Sequence, residues 1–373
     1  MRTRICELLG IEFPILAFSH CRDVIAAVTN AGGFGVLGAV AHTPEQLDID
    51  LRWIEEHTKG RPYGVDLLLP TKYEGKDRGG LDDDAARTLM PQEHRRFLDE
   101  MLERYGVPPL PQVSTGGHVL NVSAAGTEPL LDVAFSYDIK LFASALGPPP
   151  PNVVERAHTA GAMVAALAGS ASHAARHRAA GVDVIVAQGG EAGGHTGTIA
   201  TMVLVPEVVD AVAPTPVLAA GGIGRGRQLA AALALGAEGV WCGSVWLTTE
   251  EAETHPVVKE KFLAATSGDT VRSRSKTGKP ARMLRTAWSD EWDRRDAPQP
   301  LPMPLQTMLT HEAEARIARA ARSSPGAHEL VSYFVGQIVG SMDRVKPARQ
   351  VILDMVEEMI DVFERLDRIA AVD

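Results

Sequence analysis

Cysteine, aromatic residues, positive charge and long apolar runs are all scarce in this chain. Its three cysteines, Cys6, Cys21 and Cys242, are scattered without metal-ligand spacing and form no even disulfide framework. A reducing cytoplasm is the setting that suits them. Aromatics make up 5%, which gives no stacking platform for single-stranded nucleic acid. Lys and Arg number 37 against 47 Asp and Glu, a formal net charge of −10. That balance argues against sequence-independent nucleic-acid binding. No apolar run approaches the roughly 20 residues that span a bilayer, and "MRTRICELLGIEF" (1–13) has no apolar centre of the kind a secretory leader needs. No G-x-G-x-x-G turn directly follows the first strand, and no G-x-x-x-x-G-K-[ST] or separate Mg²⁺ motif occurs, so neither a Rossmann dinucleotide site nor a nucleoside triphosphate is expected.

What is present is a rhythm. Short apolar runs recur, each followed by glycine or polar residues and then a helical pattern: "FPILA" (13–17), "FGVLGA" (34–39), "YGVDLLL" (63–69), "IKLFASALG" (139–147), "AMVAALA" (162–168), "VDVIVAQ" (182–188), "PVLAAGGI" (216–223) and "GVWCGSVWL" (239–247). Near-continuous apolar strands alternating with helices indicate parallel βα units. Eight of them within 1–255 predict an α/β fold, a (β/α)₈ barrel. Thr43 followed by Pro44 predicts the start of one of the helices. Two regions break the rhythm. Residues 70–138 form an insertion after the third strand, with the charged helix "PQEHRRFLDEMLERYG" (91–106), expected as a lid or a subunit contact. Residues 256–373 are expected to be mostly helical and to pack on the barrel, ending in the amphipathic "PARQVILDMVEEMIDVFERL" (347–366).

In a (β/α)₈ barrel the active site lies at the carboxyl ends of the strands, with a phosphate site often built after strands seven and eight. Glycines stand at both places, in "AAGGIGRG" (219–226) and "CGS" (242–244). Backbone N–H groups there can hold a phosphate, and the Ser244 hydroxyl adds a donor. The sixth strand ends at Gln188, which can donate and accept to the polar edge of a flat heterocycle. It runs into "GGEAGGHTG" (189–197), a loop stripped of side chains except at a few points, one of them His195. Histidine titrates near neutrality and serves as a general base or, protonated, as a donor.

The stretches "QGGEAGGHTG" (188–197) and "PVLAAGGIGRGRQLAAALALGAEGVWCGSVWL" (216–247), the opening "GIEFPILA…VTNAGGFGVLG", and "GQIVG…KPARQVILDMVEE" (336–358) resemble the nitronate monooxygenase family. The resemblance implies an FMN-dependent barrel with an added helical domain. It implies that Gln188, Gly193 and Gly194 contact the flavin, that Gly221, Gly222, Gly243 and Ser244 hold its phosphate, and that His195 is the active-site histidine. It also sets the ends of the first and third strands, Ala17, Phe18 and Asp66, against the cofactor. Two departures stand out. Asp66 occupies a position where the family usually has asparagine, and "AFSHCRD" (17–23) puts Phe18, His20 and Cys21 where the family often has a small loop.

The activity expected from the resemblance is oxidation of an alkyl nitronate or nitroalkane with O₂. An NAD(P)H-dependent reductase of quinones or enoyl thioesters on the same barrel is the rival, and a non-catalytic flavin- or phosphate-binding barrel the third reading. No nucleic-acid or membrane partner is expected, and a homo-oligomer is open. Other conspicuous residues are given structural roles: "TGGH" (115–118) a loop, Cys242 a buried thiol, His173 and His177 a helix pair without metal, "DDD" (82–84) a solvated turn or helix start, "RSRSK" (272–276) a solvated loop.

Overall fold

The computed structural model describes residues 3–371 except 79, 82–85, 87 and 111–122. "TGGH" and "DDD" therefore fall outside the described residues. Eight parallel strands close into a barrel in the order β1-β2-β3-β4-β5-β6-β8-β9. They are β1 (Ile15–Ser19), β2 (Phe34–Gly38), β3 (Gly64–Leu68), β4 (Leu141–Ala145), β5 (Met163–Ala168), β6 (Val184–Gln188), β8 (Val217–Ala220) and β9 (Gly239–Cys242). Seven of the eight apolar runs contain one of them, and the first strand overlaps its run but extends past it to Ser19. The last is shorter than its run, because "SVWLT" turns into a 3₁₀ helix at Ser244–Thr248.

Both faces of these strands are buried, which is why the runs show little alternation. Outward residues such as Ile15, Ala17, Val65, Leu67, Ile185, Ala187, Val240 and Cys242 join the apolar faces of the surrounding helices in one core. Inward residues, among them Leu16, Phe34, Val36, Ala143, Val184, Val186, Leu218 and Trp241, fill the barrel. Ile5 and Leu9 of the helix Arg4–Leu9 belong to that inner cluster and plug the barrel. Thr43 does start its helix, Pro44–Thr58: its hydroxyl accepts from the Gln46 N–H and the Gln46 side chain reaches back to the Thr43 N–H, a reciprocal cap.

A second apolar core lies outside the barrel. The inserted helix Gln92–Arg104 contributes Leu98, Met101 and Leu102, which pack with Phe262, Trp288, Trp292, Leu309 and Ile317 of the C-terminal region. Glu291 joins the two parts, accepting from Arg104 Nη1 at 2.7 Å and from the Tyr105 hydroxyl at 3.1 Å. The C-terminal region also contains a hairpin that the helical pattern did not reveal: β10 (Thr270–Ser273) pairs antiparallel with β11 (Ala281–Leu284). The final helix, Ala348–Ala370, returns to the barrel wall against Gly226–Ala234. The approach is close enough that a Cβ on Gly226 would lie 2.1 Å from the Met355 carbonyl.

Candidate active site

The pleat places Phe18, Asp66 and Gln188 on the inner side of the barrel at the carboxyl ends of their strands. Their neighbours Ala17, Val65, Leu67 and Ala187 face the helices. Ala17 is therefore apposed to any ligand only through its backbone. Phe18 stacks on Trp241 with ring centroids 6.2 Å apart and meets the edge of His20 at 5.1 Å. The His20 Nδ1 lies 2.7 Å from the Gly38 carbonyl oxygen, and desolvation lowers its pKa. Gly38 is the register partner of Asp66. Asp66 is 5% exposed, and burial alone pushes its carboxyl up to about 7. No charged neighbour among the described residues offsets that cost, so the group favours its neutral form inside the barrel.

The glycine-rich stretch after β6 is not a free loop. Gly194 and His195 form β7, which pairs antiparallel with β11, His195 opposite Ala281 and Gly194 opposite Arg282. Gly193 permits the close approach: a Cβ there would sit 2.7 Å from the Gly336 nitrogen. Arg272 Nη2 donates to the Thr196 carbonyl and Arg282 Nε to the Gly190 carbonyl, each at 2.9 Å. These two guanidinium groups grip the stretch from the C-terminal hairpin. "RSRSK" is thus not the solvated loop expected from its charge. Ser273, Ser275 and Lys276 are buried, and Lys276 pairs with Glu314 at 2.7 Å.

His195 Nε2 lies 2.8 Å from Thr277 Oγ1, and its ring centroid is 6.4 Å from that of Phe334. Burial first, and then the nearby Lys279 ammonium, bring its pKa down to about 4. At neutral pH the imidazole is therefore uncharged. Lys279 Nζ in turn donates to the Lys72 carbonyl at 3.2 Å, so the first residues of the insertion stand beside this turn.

The two phosphate-loop candidates lie near one another. Gly221 and Gly222 have φ of +105° and +70°, conformations that L side chains rarely adopt. A Cβ on Gly243 would meet only Phe18, at 3.8 Å, leaving the backbone open on that side. Such bare backbone is the shape a phosphate cradle needs. Ser244 Oγ accepts from the Gly336 N–H at 2.8 Å, which ties the C-terminal region to the barrel and leaves the hydroxyl proton to donate. One residue here escaped sequence reasoning. Gln228 donates through Nε2 to the Gly222 carbonyl at 2.6 Å and accepts through Oε1 from the N–H groups of Gly224 and Arg225, at 2.9 and 3.0 Å. Its position three residues after Arg225, at a helix start, was the available signal. A cavity of about 350 Å³ lies against this loop, lined by Glu191, Gly222, Gln228, Ser267 and Gln337. None of Phe18, Asp66, Gln188 or His195 lines it, so it is separate from those four groups.

Cys242 and His177 have structural surroundings. Burial pushes the Cys242 thiol up to about 12, far from a reactive thiolate. His177 is buried with Nε2 3.1 Å from the Leu167 carbonyl, and its lowered pKa again reflects burial.

Comparison with known proteins agrees with this fold. The family model described as nitronate monooxygenase matches residues 2–358. A Mycobacterium tuberculosis (strain ATCC 25618 / H37Rv) protein, Rv1533, named a monooxygenase by provisional assignment, is 70% identical over 370 residues, 98% of each chain. The structure of a nitroalkane oxidase from Streptomyces ansochromogenes superposes with a TM-score of 0.79 at 26% identity, covering 97% of this chain and 99% of that one. FabK from Thermotoga maritima superposes with a TM-score of 0.73 at 30% identity, covering 98% and 99%. The match over nearly the whole chain, on a closed eight-stranded barrel, makes this protein an oxidoreductase that belongs to the nitronate monooxygenase family.

Proposed function

We propose that this protein binds FMN and oxidises alkyl nitronates, or the nitroalkanes that give rise to them, with O₂. The observation that carries the reading is a neutral, half-buried histidine, His195, held beyond β6 on the same barrel end as two bare glycine loops. In this reading Gly221, Gly222, Gly243 and Ser244 hold the phosphate of FMN. Gln188, Gly193, Gly194, Phe18, Asp66 and the Ala17 backbone border its ring. Bound there, the flavin supplies the two-electron redox chemistry and the reaction with oxygen. The chain's own task is orientation, exclusion of water and proton transfer. His195, as neutral imidazole, takes the α-proton of a neutral nitroalkane, and the electron pair left on carbon delocalises into the nitro group. The low pKa favours this base role over an imidazolium that holds the nitronate oxygens.

The likeness to FabK supports a second reading, an NAD(P)H-dependent reductase of quinones or enoyl thioesters on the same barrel. One experiment separates the two. Purified protein is scanned for flavin, the released flavin is identified, and its bleaching is followed under argon with nitronate or with NAD(P)H. FMN bleached by nitronate alone is the expected result. Bleaching by NAD(P)H and not by nitronate would give the second reading, and FAD as the sole flavin would overturn the cofactor assignment.

A further inference from the structure

We infer that Thr277 is a positioning residue that fixes the tautomer of His195, placing the proton on Nε2 and the basic lone pair on Nδ1. The inference rests on the proton-acceptor role given to His195 above and says which nitrogen performs it.

The hydrogen bonds around one hydroxyl lead to this assignment. Thr277 Oγ1 lies 2.8 Å from His195 Nε2, 3.2 Å from the Lys279 carbonyl oxygen and 3.4 Å from the Lys279 nitrogen. A hydroxyl has one proton and two lone pairs. The Lys279 carbonyl can only accept, so the Thr277 proton goes to it. The Lys279 N–H can only donate, and it takes one lone pair. The second lone pair then receives the Nε2–H of His195. Every group in the cluster is satisfied by this arrangement. The opposite tautomer would direct the Thr277 proton to Nε2 and deprive the Lys279 carbonyl of its donor.

The other ring nitrogen is left for chemistry. His94, His177 and His255 each have a buried Nδ1 without a hydrogen-bond partner, and the Nδ1 of His195 is not among them. It has no hydrogen-bond partner among the described residues. The charged groups around the ring do not compete for it. Lys279 raises the cost of a second proton. Arg272 and Arg282 are engaged with the carbonyls of Thr196 and Gly190, and Glu191 accepts from Thr201.

The turn that presents Thr277 is rigidly seated. A Cβ on Gly278 would lie 2.0 Å from the Leu301 carbonyl oxygen. Gln306 Nε2 donates to the Ser275 carbonyl at 2.6 Å, and Arg274 Nε donates to the Gly278 carbonyl at 2.8 Å. The barrel thus supplies the base and the C-terminal region supplies the group that sets its protonation pattern, as the carboxylate partner does for a catalytic histidine in hydrolases.

The test is long-range ¹H–¹⁵N correlation on the histidine-labelled holoenzyme, with the His195 signals assigned by their loss in His195→Asn. The wild type should show Nε2 protonated and Nδ1 bare. In Thr277→Val the Nε2 site loses its acceptor, and the proton should move to Nδ1, where water can accept it. Turnover of neutral nitroalkane should then fall roughly 10–100-fold, the lower part of the range for a positioned acid–base group. Preformed nitronate should lose little, and Thr277→Ser should restore both the spectrum and the rate. A wild-type ring protonated on Nδ1, or a Thr277→Val ring that stays protonated on Nε2, would overturn the inference. The spectrum reports the tautomer whether or not nitroalkanes prove to be substrates, so failure of the functional reading is read separately, from turnover.

Discussion

His195 and Thr277 are 82 residues apart in the chain, yet Nε2 of one lies 2.8 Å from Oγ1 of the other. The first residue belongs to a two-residue strand that leaves the barrel, and the second to the turn between two strands of the C-terminal region. Pairing of β7 with β11 brings them together. The surroundings of His195 are therefore completed only when the C-terminal hairpin docks on the barrel.

His195→Asn tests the base role. The amide keeps a polar group but removes the titratable nitrogen. Turnover of neutral nitroalkanes should fall by roughly 10²–10⁴, whereas turnover of preformed nitronate should fall much less and flavin content should not change. Because burial and Lys279 lower the His195 pKa to about 4, the basic form persists from neutrality down to that pH. The wild-type kcat/KM for a neutral nitroalkane should thus lack an inflection between pH 6 and 7 that this residue would otherwise cause. Equal losses on both substrates would indicate a binding role instead.

Asp66→Asn tests the buried carboxyl. A carboxyl whose folded pKa is raised to about 7 from the ordinary value of 3.8 holds its proton longer when folded than when unfolded. Stability from this group is therefore greatest below the unfolded pKa, falls as pH rises through the interval and levels off above the folded pKa. The full cost is at most about 4 kcal/mol. Asp66→Asn should accordingly melt above wild type at pH 8, and the gap should close as pH falls toward 4. A constant gap across that range would show that Asp66 is ionised and solvated in the folded protein.

Gln228→Ala tests the brace behind the phosphate loop. It removes the donor to the Gly222 carbonyl and the acceptor for Gly224 and Arg225. Loss of a few such bonds at a partly exposed site costs about 1–2 kcal/mol, so FMN affinity should fall roughly tenfold, as measured by fluorescence titration of the deflavinated protein. Gln228→Glu keeps the acceptor but sets a carboxylate oxygen against the Gly222 carbonyl, and should lose at least as much. Unchanged affinity in both variants would separate this loop from phosphate binding.

The barrel was legible because its information is local. Each strand is a short apolar run, buried on both faces and closed by glycine or by a helix cap such as Thr43, so composition alone marks it. The glycine loops and His195 stood out for the same reason: absence of side chains is visible in the sequence. The hairpin was not legible. "TVRS" and "ARML" carry arginines within strands of four residues, and their order comes from pairing with each other and with β7 and from packing of residues such as Met283 in the second core. Charge misled at "RSRSK", where Arg272 reaches back to the Thr196 carbonyl and Lys276 is buried against Glu314. What the sequence by itself determined was the barrel and the residues at its carboxyl end. Which of them are neutral, that His195 Nε2 meets Thr277 and that Gln228 braces the loop at Gly222 were decided by the tertiary structure, because burial and hydrogen bonds between separate segments set protonation and orientation.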